Sequence, residues 1–491
     1  MPDVPVAPPA TAPVKATLFA YQVGFGDCFL LRFAYRDGVR RHVLIDFGTT
    51  GLTIDSPKEQ MVVIANDIAA KCGERDGDRL DVVVATHRHA DHISGFATNK
   101  SGTASGDIIA KLKPSVVVQP WTEAPDAPEK WEGPEGESTQ TAFAMRRQSL
   151  ADMDGIARLA RDTIEAGTLR VPKGIADQMH FIGEDNIANK AAVINLATMG
   201  KTNAFVFHGC DPGLSAVLPG IDVTVLGPPT LRQTETISKQ KARDRDEFWH
   251  LAPLQFAHAV GAAPAAADDA DDDDDLIAAA PVPGIATRTV RRKKSSALFP
   301  DAVVQLASKL PAEARWVAER IDQANGDMML GIVRALDNQM NNTSVILLFK
   351  AGSKKLLFPG DAQLENWKYA LSSDLADQLD DVDLYKVGHH GSLNATPKTM
   401  WNRLAKKGGA KKKDRLTSVM STRDGKHGHS EDGTEVPRSK LVRALEDGSA
   451  LCDTRNLPKG QLYAEVTFDL TDEGQISIVS GAPSAAGNTQ A

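Results

Sequence analysis

Residues 81–95 read DVVVATHRHADHISG, and the fold turns on how this stretch is understood. Its first part, Asp81 to Thr86, is short and almost continuously apolar, which predicts a strand buried on both faces. The second part packs His87, His89, Asp91 and His92 into six positions, three of them among the chain's twelve histidines. A solvent-facing polar turn needs none of these residues. An extended backbone aims His87 and His89 in the same direction, and a tighter turn through Ala90 brings Asp91 and His92 toward the same point. Neutral imidazoles with a carboxylate suit zinc or manganese, and open coordination positions would let a bound water be acidified.

Working outward, Thr17 to Tyr21, Cys28 to Phe33 and His42 to Phe47 read as strands separated by glycine-bearing turns, an opening antiparallel meander. Residues 58–71 place Met61, Ile64, Ile68 and Ala69 on one helical side, so a helix feeds the buried strand. Residues 103–112 and 139–166 also read as helical, and the proline-, glycine- and acid-rich stretch Trp121 to Ser138 as a loop. VVVQP from Val116, AAVINLAT from Ala191, NAFVFHG from Asn203 and DVTVLGPP from Asp222 are further strand candidates. In the far half, SVILLFK from Ser344, KLLFPG from Lys355 and DLYKVGHHG from Asp383 are strands ending in polar residues. Asp361 sits where a strand gives way to a helix bearing Leu364, Trp367, Leu371 and Leu375, and His389 and His390 end the next strand. LTSVMST, a helix around Lys440 to Leu445, and strands near Leu462 to Asp469 and Ile476 to Val479 close the chain.

Between these halves the pattern changes. Seven of the eight positions Asp268 to Asp275 are aspartate, and like-charge repulsion should hold that segment open. Two amphipathic helices broken near Pro311 follow the basic run Thr289 to Lys294. The expected organisation is a flexible leader (1–14), a first half (15–230), a helical insertion with a disordered acidic loop around 262–285 (231–340), a second half (341–482) and a flexible tail (483–491). The first half reads as α/β or mixed, with sheets supplying most of its core, and the expected fold class of the whole chain is α+β. At 491 residues and 42% apolar content, the chain can bury a large core, which excludes wholly disordered and disulfide-stapled classes. Its net charge of -8 gives no global case for polyanion binding. Cys28, Cys72, Cys210 and Cys452 form no CxxC pair, which fits a reducing compartment. The start lacks the charge and apolar pattern of a signal peptide, and no run reaches the roughly 20 apolar residues of a membrane span. A cytoplasmic protein without membrane insertion is expected.

His87, His89, Asp91 and His92 reproduce HxHxDH, and on this motif the chain resembles the metallo-beta-lactamase superfamily. Within it the likeness is to the hydrolase domain of competence-type bacterial DNA-uptake channel proteins. That likeness is carried by VGFGDCFLLRF from Val23, LIDFG from Leu44, NNTSVILLF from Asn341, LLFPGD from Leu356, YKVGHHGS from Tyr385 and GKHGH from Gly425. The resemblance implies a four-layer αββα sandwich with a cleft holding one or two Zn2+ or Mn2+ ions at the edge of its sheets. His87 and His89 would hold the first metal, Asp91 and His92 the second, and Asp361 would bridge both. His390 would complete the second site, with His389 as the alternative. His208 would stand in for the usual additional histidine of the first metal, or else be a half-buried histidine bonded to backbone. Asp91 would also orient the attacking water, and His429 would protonate the leaving group or contact phosphate. GKHGH departs from the family's GxxxGHP loop, with Ser430 in place of proline.

Asp27 and Asp46 are expected to hydrogen-bond loop amides or ligand histidines rather than to bind metal. Asn341, Asn342, Lys386 and Ser392 are candidate substrate contacts, although the asparagines and Ser392 equally suit turn caps. The implied function is hydrolysis of a phosphodiester, in DNA, RNA or a nucleotide, with a partner protein or a second copy of the chain compatible with it. The alternatives are a thioester, lactone or beta-lactam hydrolase, and a non-catalytic metal-binding partner protein.

Overall fold

The structure, a computed structural model, describes residues 12–75, 77–124, 190–230, 232–234, 341–394, 396–428, 435–471 and the backbone of 477–480. The expected insertion and acidic loop, the helix over 139–166, most of the loop from Trp121, and His429 lie outside the described residues.

Among the described residues, the first half of the chain runs β1 (Pro13–Tyr21), β2 (Cys28–Tyr35), β3 (Arg40–Phe47), α1 (Gln60–Cys72), β4 (Arg79–Val84), α2 (Ala90–Ile93), α3 (Ser105–Lys111), β5 (Val116–Pro120), α4 (Lys190–Thr198), β6 (Thr202–Val206) and β7 (Ile221–Gly227). The second runs β8 (Ile346–Ala351), β9 (Lys354–Phe358), α5 (Leu364–Ser372), β10 (Leu384–Lys386), α6 (Lys398–Arg403), β11 (Thr417–Met420), α7 (Ser439–Gly448), β12 (Ala450–Asp453), β13 (Tyr463–Asp469) and β14 (Ser477–Ser480). Two mixed sheets result, ordered β14-β13-β1-β2-β3-β4-β5-β6 and β12-β11-β10-β9-β8-β7. The halves exchange strands: β7 joins the second sheet, and β13 and β14 return to the first. β1 begins at Pro13, inside the expected leader, because Pro13 and Lys15 already pair with β2 and β13; the first position of a strand tolerates proline.

Alternation within the strands feeds three cores. Leu18 and Ala20 of β1, with Phe29, Leu31 and Phe33 of β2, face Leu347 and Phe349 of β8 and Phe358 of β9 between the sheets. Phe19, Tyr21 and Leu30 face the other way, onto Ile64 and Ile68 of α1, Ile109 of α3 and Leu196 of α4. On the far side, Ile346 and Leu348 pack with Trp367 of α5, Met400 and Trp401 of α6 and Leu441 of α7. The architecture is therefore the α+β sandwich with helices flanking both sheets. Strands apolar on both faces are the signature of such covered sheets.

One expected strand is a helix. Ala191 to Thr198 lies in α4, burying Ala192, Asn195 and Leu196 at the i, i+3, i+4 spacing of a helical stripe. A short apolar run carries no period that separates strand from buried helix. Tertiary contacts decide here: Asn195 Nδ2 donates to the carbonyls of Phe96 (2.9 Å) and Gly106 (3.1 Å).

The parallel strands β3–β4–β5 and β9–β10–β11 point their C-terminal ends at one shared edge. The two edges are tied by the Val345 N–H donating to the Thr86 carbonyl at 2.9 Å. Gly360 (φ 55°) allows the close approach, since a Cβ there would lie 2.7 Å from the Thr86 side chain.

Candidate metal centre

Three loops meet at that edge. The loop after β4 runs straight into α2, so Asp91 and His92 sit in its first turn and His87 and His89 just before it. The loop after β9 places Asp361, and a tight 3-10 turn at Gly388–Gly391 follows β10. In that turn His389 and His390 both adopt left-handed backbone (φ 44° and 52°), costing about 1 kcal/mol or more each. The neighbouring structure enforces this conformation: the His389 N–H donates to Asp361 Oδ1 at 3.0 Å, and the Arg438 N–H donates to the Gly391 carbonyl at 2.9 Å.

Three donor groups form among the described residues, one of them Asp27, Asp46 and His92 and the other two built on Asp91. One ligand atom from each of Asp91, His92, Asp361 and His390 lies within 4.8 Å of the others, and the same holds for His87, His89 and Asp91; all six residues are buried. His390 Nε2 lies 3.0 Å from Asp91 Oδ2, His92 Nε2 lies 3.0 Å from Asp361 Oδ2, and His87 Nε2 lies 3.0 Å from His89 Nδ1. Two ligands bonded at 2.0–2.1 Å to one tetrahedral ion stand about 3.3 Å apart, so the spacing and chemistry of these donors fit a divalent cation. Asp91 is the carboxylate common to two of the groups, whereas Asp361, expected to bridge, joins the group with His92 and His390. Its Oδ1 faces the Lys386 ammonium at 3.3 Å and the His389 N–H, which leaves Oδ2 toward the histidines.

The surroundings fix the rings. His92 Nδ1 lies 2.8 Å from Asp46 Oδ2, and Asp46 also accepts the Thr86 N–H and hydroxyl, each at 2.8 Å. His390 Nδ1 lies 2.9 Å from the Ser421 carbonyl, and its ring packs on Phe25 with centroids 4.4 Å apart. A proton held on each Nδ1 turns the Nε2 lone pair toward the cluster. Gly48 brings the Asp46 loop against α2, where a Cβ would come within 2.4 Å of the Asp91 and His92 backbone.

Electrostatics divide the histidines. Burial, reinforced by His92 and His89, pushes His87 well below its ordinary range, and burial takes His89 to about 4, so both are neutral donors. Burial would also lower His92 and His390, but Asp361, Asp91 and Asp46 raise the first, and Asp27, Asp91 and Asp361 the second. Burial would raise the Asp91 and Asp361 carboxyls; His92 acting on both, with His390 at Asp91 and Lys386 at Asp361, holds them well below the carboxylate range. A divalent ion competes with the protons of His92 and His390 for the same lone pairs.

Residues 21–102 match the family profile described as the metallo-beta-lactamase superfamily. Over that stretch the chain is similar to this superfamily. The matched residues contain His87, His89, Asp91 and His92, and the structure adds Asp361 and His390 from the far half. This histidine and aspartate cluster is typical of metallo-beta-lactamase hydrolases and forms a metal-binding site consistent with a metal-dependent hydrolase. No curated protein matches the chain.

Other expected site residues fall elsewhere. His208, an expected ligand of the first metal, joins none of the donor groups found among the described residues; its Nδ1 lies 2.8 Å from the Leu226 carbonyl and its ring meets Tyr369 edge-on. The end of β6 packs against β7, so this histidine satisfies itself on backbone. Lys386, expected to meet substrate, is buried inside the centre, where its ammonium pairs with Asp27 and Asp361 and donates to the Gly360 carbonyl. Asn341 and Asn342 are buried too; Asn342 donates to Glu365 at 3.0 Å, and the carbonyls of Asn342 and Ser344 accept from Asn366, so they brace the entry to β8. Ser392 closes its own turn, its N–H on the His389 carbonyl and its hydroxyl on Asn394 at 3.3 Å. His389 stays at the rim, half-buried, with Nε2 4.0 Å from Asp361 Oδ2. The Ser421 carbonyl and Phe25 also contact His390 without belonging to any of the expected site residues. The rule that loops after parallel strands build the site extends to the end of β11 and reaches Ser421.

Proposed function

We propose that the chain is a phosphodiesterase or nuclease acting on a phosphodiester in DNA, RNA or a nucleotide. The observation that carries the reading is the pair of adjacent donor groups sharing Asp91, an arrangement suited to two divalent ions, Zn2+ or Mn2+, side by side. Such ions supply Lewis acidity toward a phosphoryl oxygen and lower the pKa of water. His87 and His89 would hold one, His92, Asp361 and His390 the other, and Asp91 would contribute to both. The rest is done by side chains. Asp91, held as a carboxylate, orients the attacking water by accepting a hydrogen bond from it. His389, at the rim and lowered by burial, is placed to orient a phosphate oxygen. His429 remains the proposed proton donor to the departing oxygen. Near the centre, past Phe25 and His427, a cleft of about 520 Å³ lined by His427, Pro437, Val442 and Arg443 offers room for the groups flanking a phosphodiester.

The competence-type motifs around Asp27, Asp361 and His390 support phosphodiester over acyl chemistry. Among the described residues no helix is long and apolar enough to cross a membrane. The four free cysteines support a cytoplasmic setting. The test is a screen of the Mn2+- or Zn2+-loaded protein against linear DNA, RNA, cyclic nucleotides and a bis-nitrophenyl phosphate, beside Asp91→Ala. Phosphodiester cleavage lost in the variant is expected. Hydrolysis of nitrocefin or an acyl thioester with every phosphodiester untouched would contradict the reading.

A further inference from the structure

Asp27 lies immediately before β2, 359 positions before Lys386 at the end of β10, and both are buried. The Asp27 carboxylate pairs with the Lys386 ammonium and faces the backs of two histidines, 3.6 Å from His92 Nδ1 and 3.6 Å from His390 Nδ1. The same ammonium reaches Asp361 Oδ1 at 3.3 Å and donates to the Gly360 carbonyl at 3.1 Å. Two backbone bonds clamp Asp27 in place: its N–H donates to the Asp91 carbonyl and its carbonyl accepts from Gly48, each at 2.9 Å. This one ion pair therefore touches three of the four members of the Asp91, His92, Asp361 and His390 group, and its backbone touches the fourth.

We propose that Asp27 and Lys386 form a buried positioning pair that orients His92, His390 and Asp361 toward a divalent cation. Lys386 occupies Asp361 Oδ1 and leaves Oδ2 for the cation, while Asp27 favours the proton on each Nδ1 and so the lone pair on each Nε2. The pair also explains why a lysine is tolerated beside a cation site: its charge is balanced by Asp27, which faces the Nδ1 atoms of His92 and His390. The inference rests on the reading of this cluster as a metal centre.

The test uses the full-length chain titrated with Co2+, followed by its visible d–d absorption, with bound metal counted after dialysis. The variants are Asp27→Asn, Lys386→Arg and the double variant Asp27→Asn/Lys386→Met. The double variant removes both charges together, so neither Asp27 nor Lys386 is left as a lone buried ion, and Asp361 keeps its contact with His92; its melting with chelator present reports folding separately. The pair predicts Co2+ affinity roughly 10–100-fold weaker in Asp27→Asn and in the double variant, with altered absorption, and partial recovery in Lys386→Arg relative to the double variant. A double variant that melts like the wild type and binds Co2+ with unchanged affinity and spectrum would overturn the inference while leaving the metal centre intact. A wild-type chain that binds no Co2+ would overturn the metal centre and the inference with it.

Discussion

Strands β4 and β10 carry buried charge at both ends, and the two ends are handled differently. At their starts each carboxylate has its own cations. Asp81 faces Arg79 at 2.8 Å and Arg41 at 3.2 Å and accepts the His42 N–H; Asp383 faces Lys406 at 2.8 Å and Lys354 at 3.4 Å and accepts the Lys355 N–H. At the C-terminal ends Asp27, Asp46, Asp91 and Asp361 crowd together with imidazoles, and the lysine in contact with them, Lys386, reaches two of the four. Buried carboxylates short of a matching cation cost several kcal/mol. One end is built as closed structure; the other keeps a surplus of acceptors that a divalent ion balances.

The sharpest way to break that contrast is to remove a shared donor. Asp91→Ala is expected to lower metal-dependent turnover on the order of 10³-fold or more while the far-UV circular dichroism stays native, because the loss falls on the site and not on any of the cores. The reverse substitution tests the other end. Asp383→Asn leaves Lys354 buried without its partner and should cost about 3 kcal/mol in urea unfolding, with Mn2+ affinity unchanged. Equal damage to metal binding from both substitutions would erase the distinction.

Acid separates the ends as well. His42, buried in β3 beside Arg79, is held down to about 4 by burial, below its ordinary 6.5. Its proton is therefore taken up first by the unfolded chain, so its contribution is complete above about pH 6.5 and is lost as pH falls toward 4. Wild type should lose about 2 kcal/mol from this group by pH 5, and His42→Gln should flatten that part of a urea-unfolding series measured from pH 7 to 4. The smallest effect belongs to Ser392→Ala. With the hydroxyl committed to Asn394, KM for a phosphodiester should change by no more than about 2-fold, with stability lowered by about 1 kcal/mol or less. A tenfold rise in KM would return Ser392 to the substrate.

Much of the site was readable because its donors sit in one dense run and at the ends of apolar strands. His87, His89, Asp91, His92, Asp361 and His390 all obey that arrangement, and the Asp46 carboxylate bonds both a loop amide, that of Thr86, and His92, the two kinds of partner expected for it. What was not readable depends on long-range pairing. Nothing local distinguishes a lysine aimed at solvent from Lys386 turned inward onto Asp27, because a strand of three residues has no alternation to read. Periodicity likewise left α4 looking like a strand, and His208 required the β6–β7 contact to show where its ring nitrogen goes. The fold fared better: strands apolar on both faces forecast two sheets covered by helices, although the exchange of β7, β13 and β14 between sheets is a matter of pairing alone.

The most direct test is a crystal of the full chain grown with Mn2+ or Zn2+ and measured at the metal's absorption edge. The account predicts an anomalous peak within bonding distance of Asp91, His92, Asp361 and His390, with a second, if present, beside His87 and His89. A protein saturated with metal that shows no peak at these side chains would contradict it.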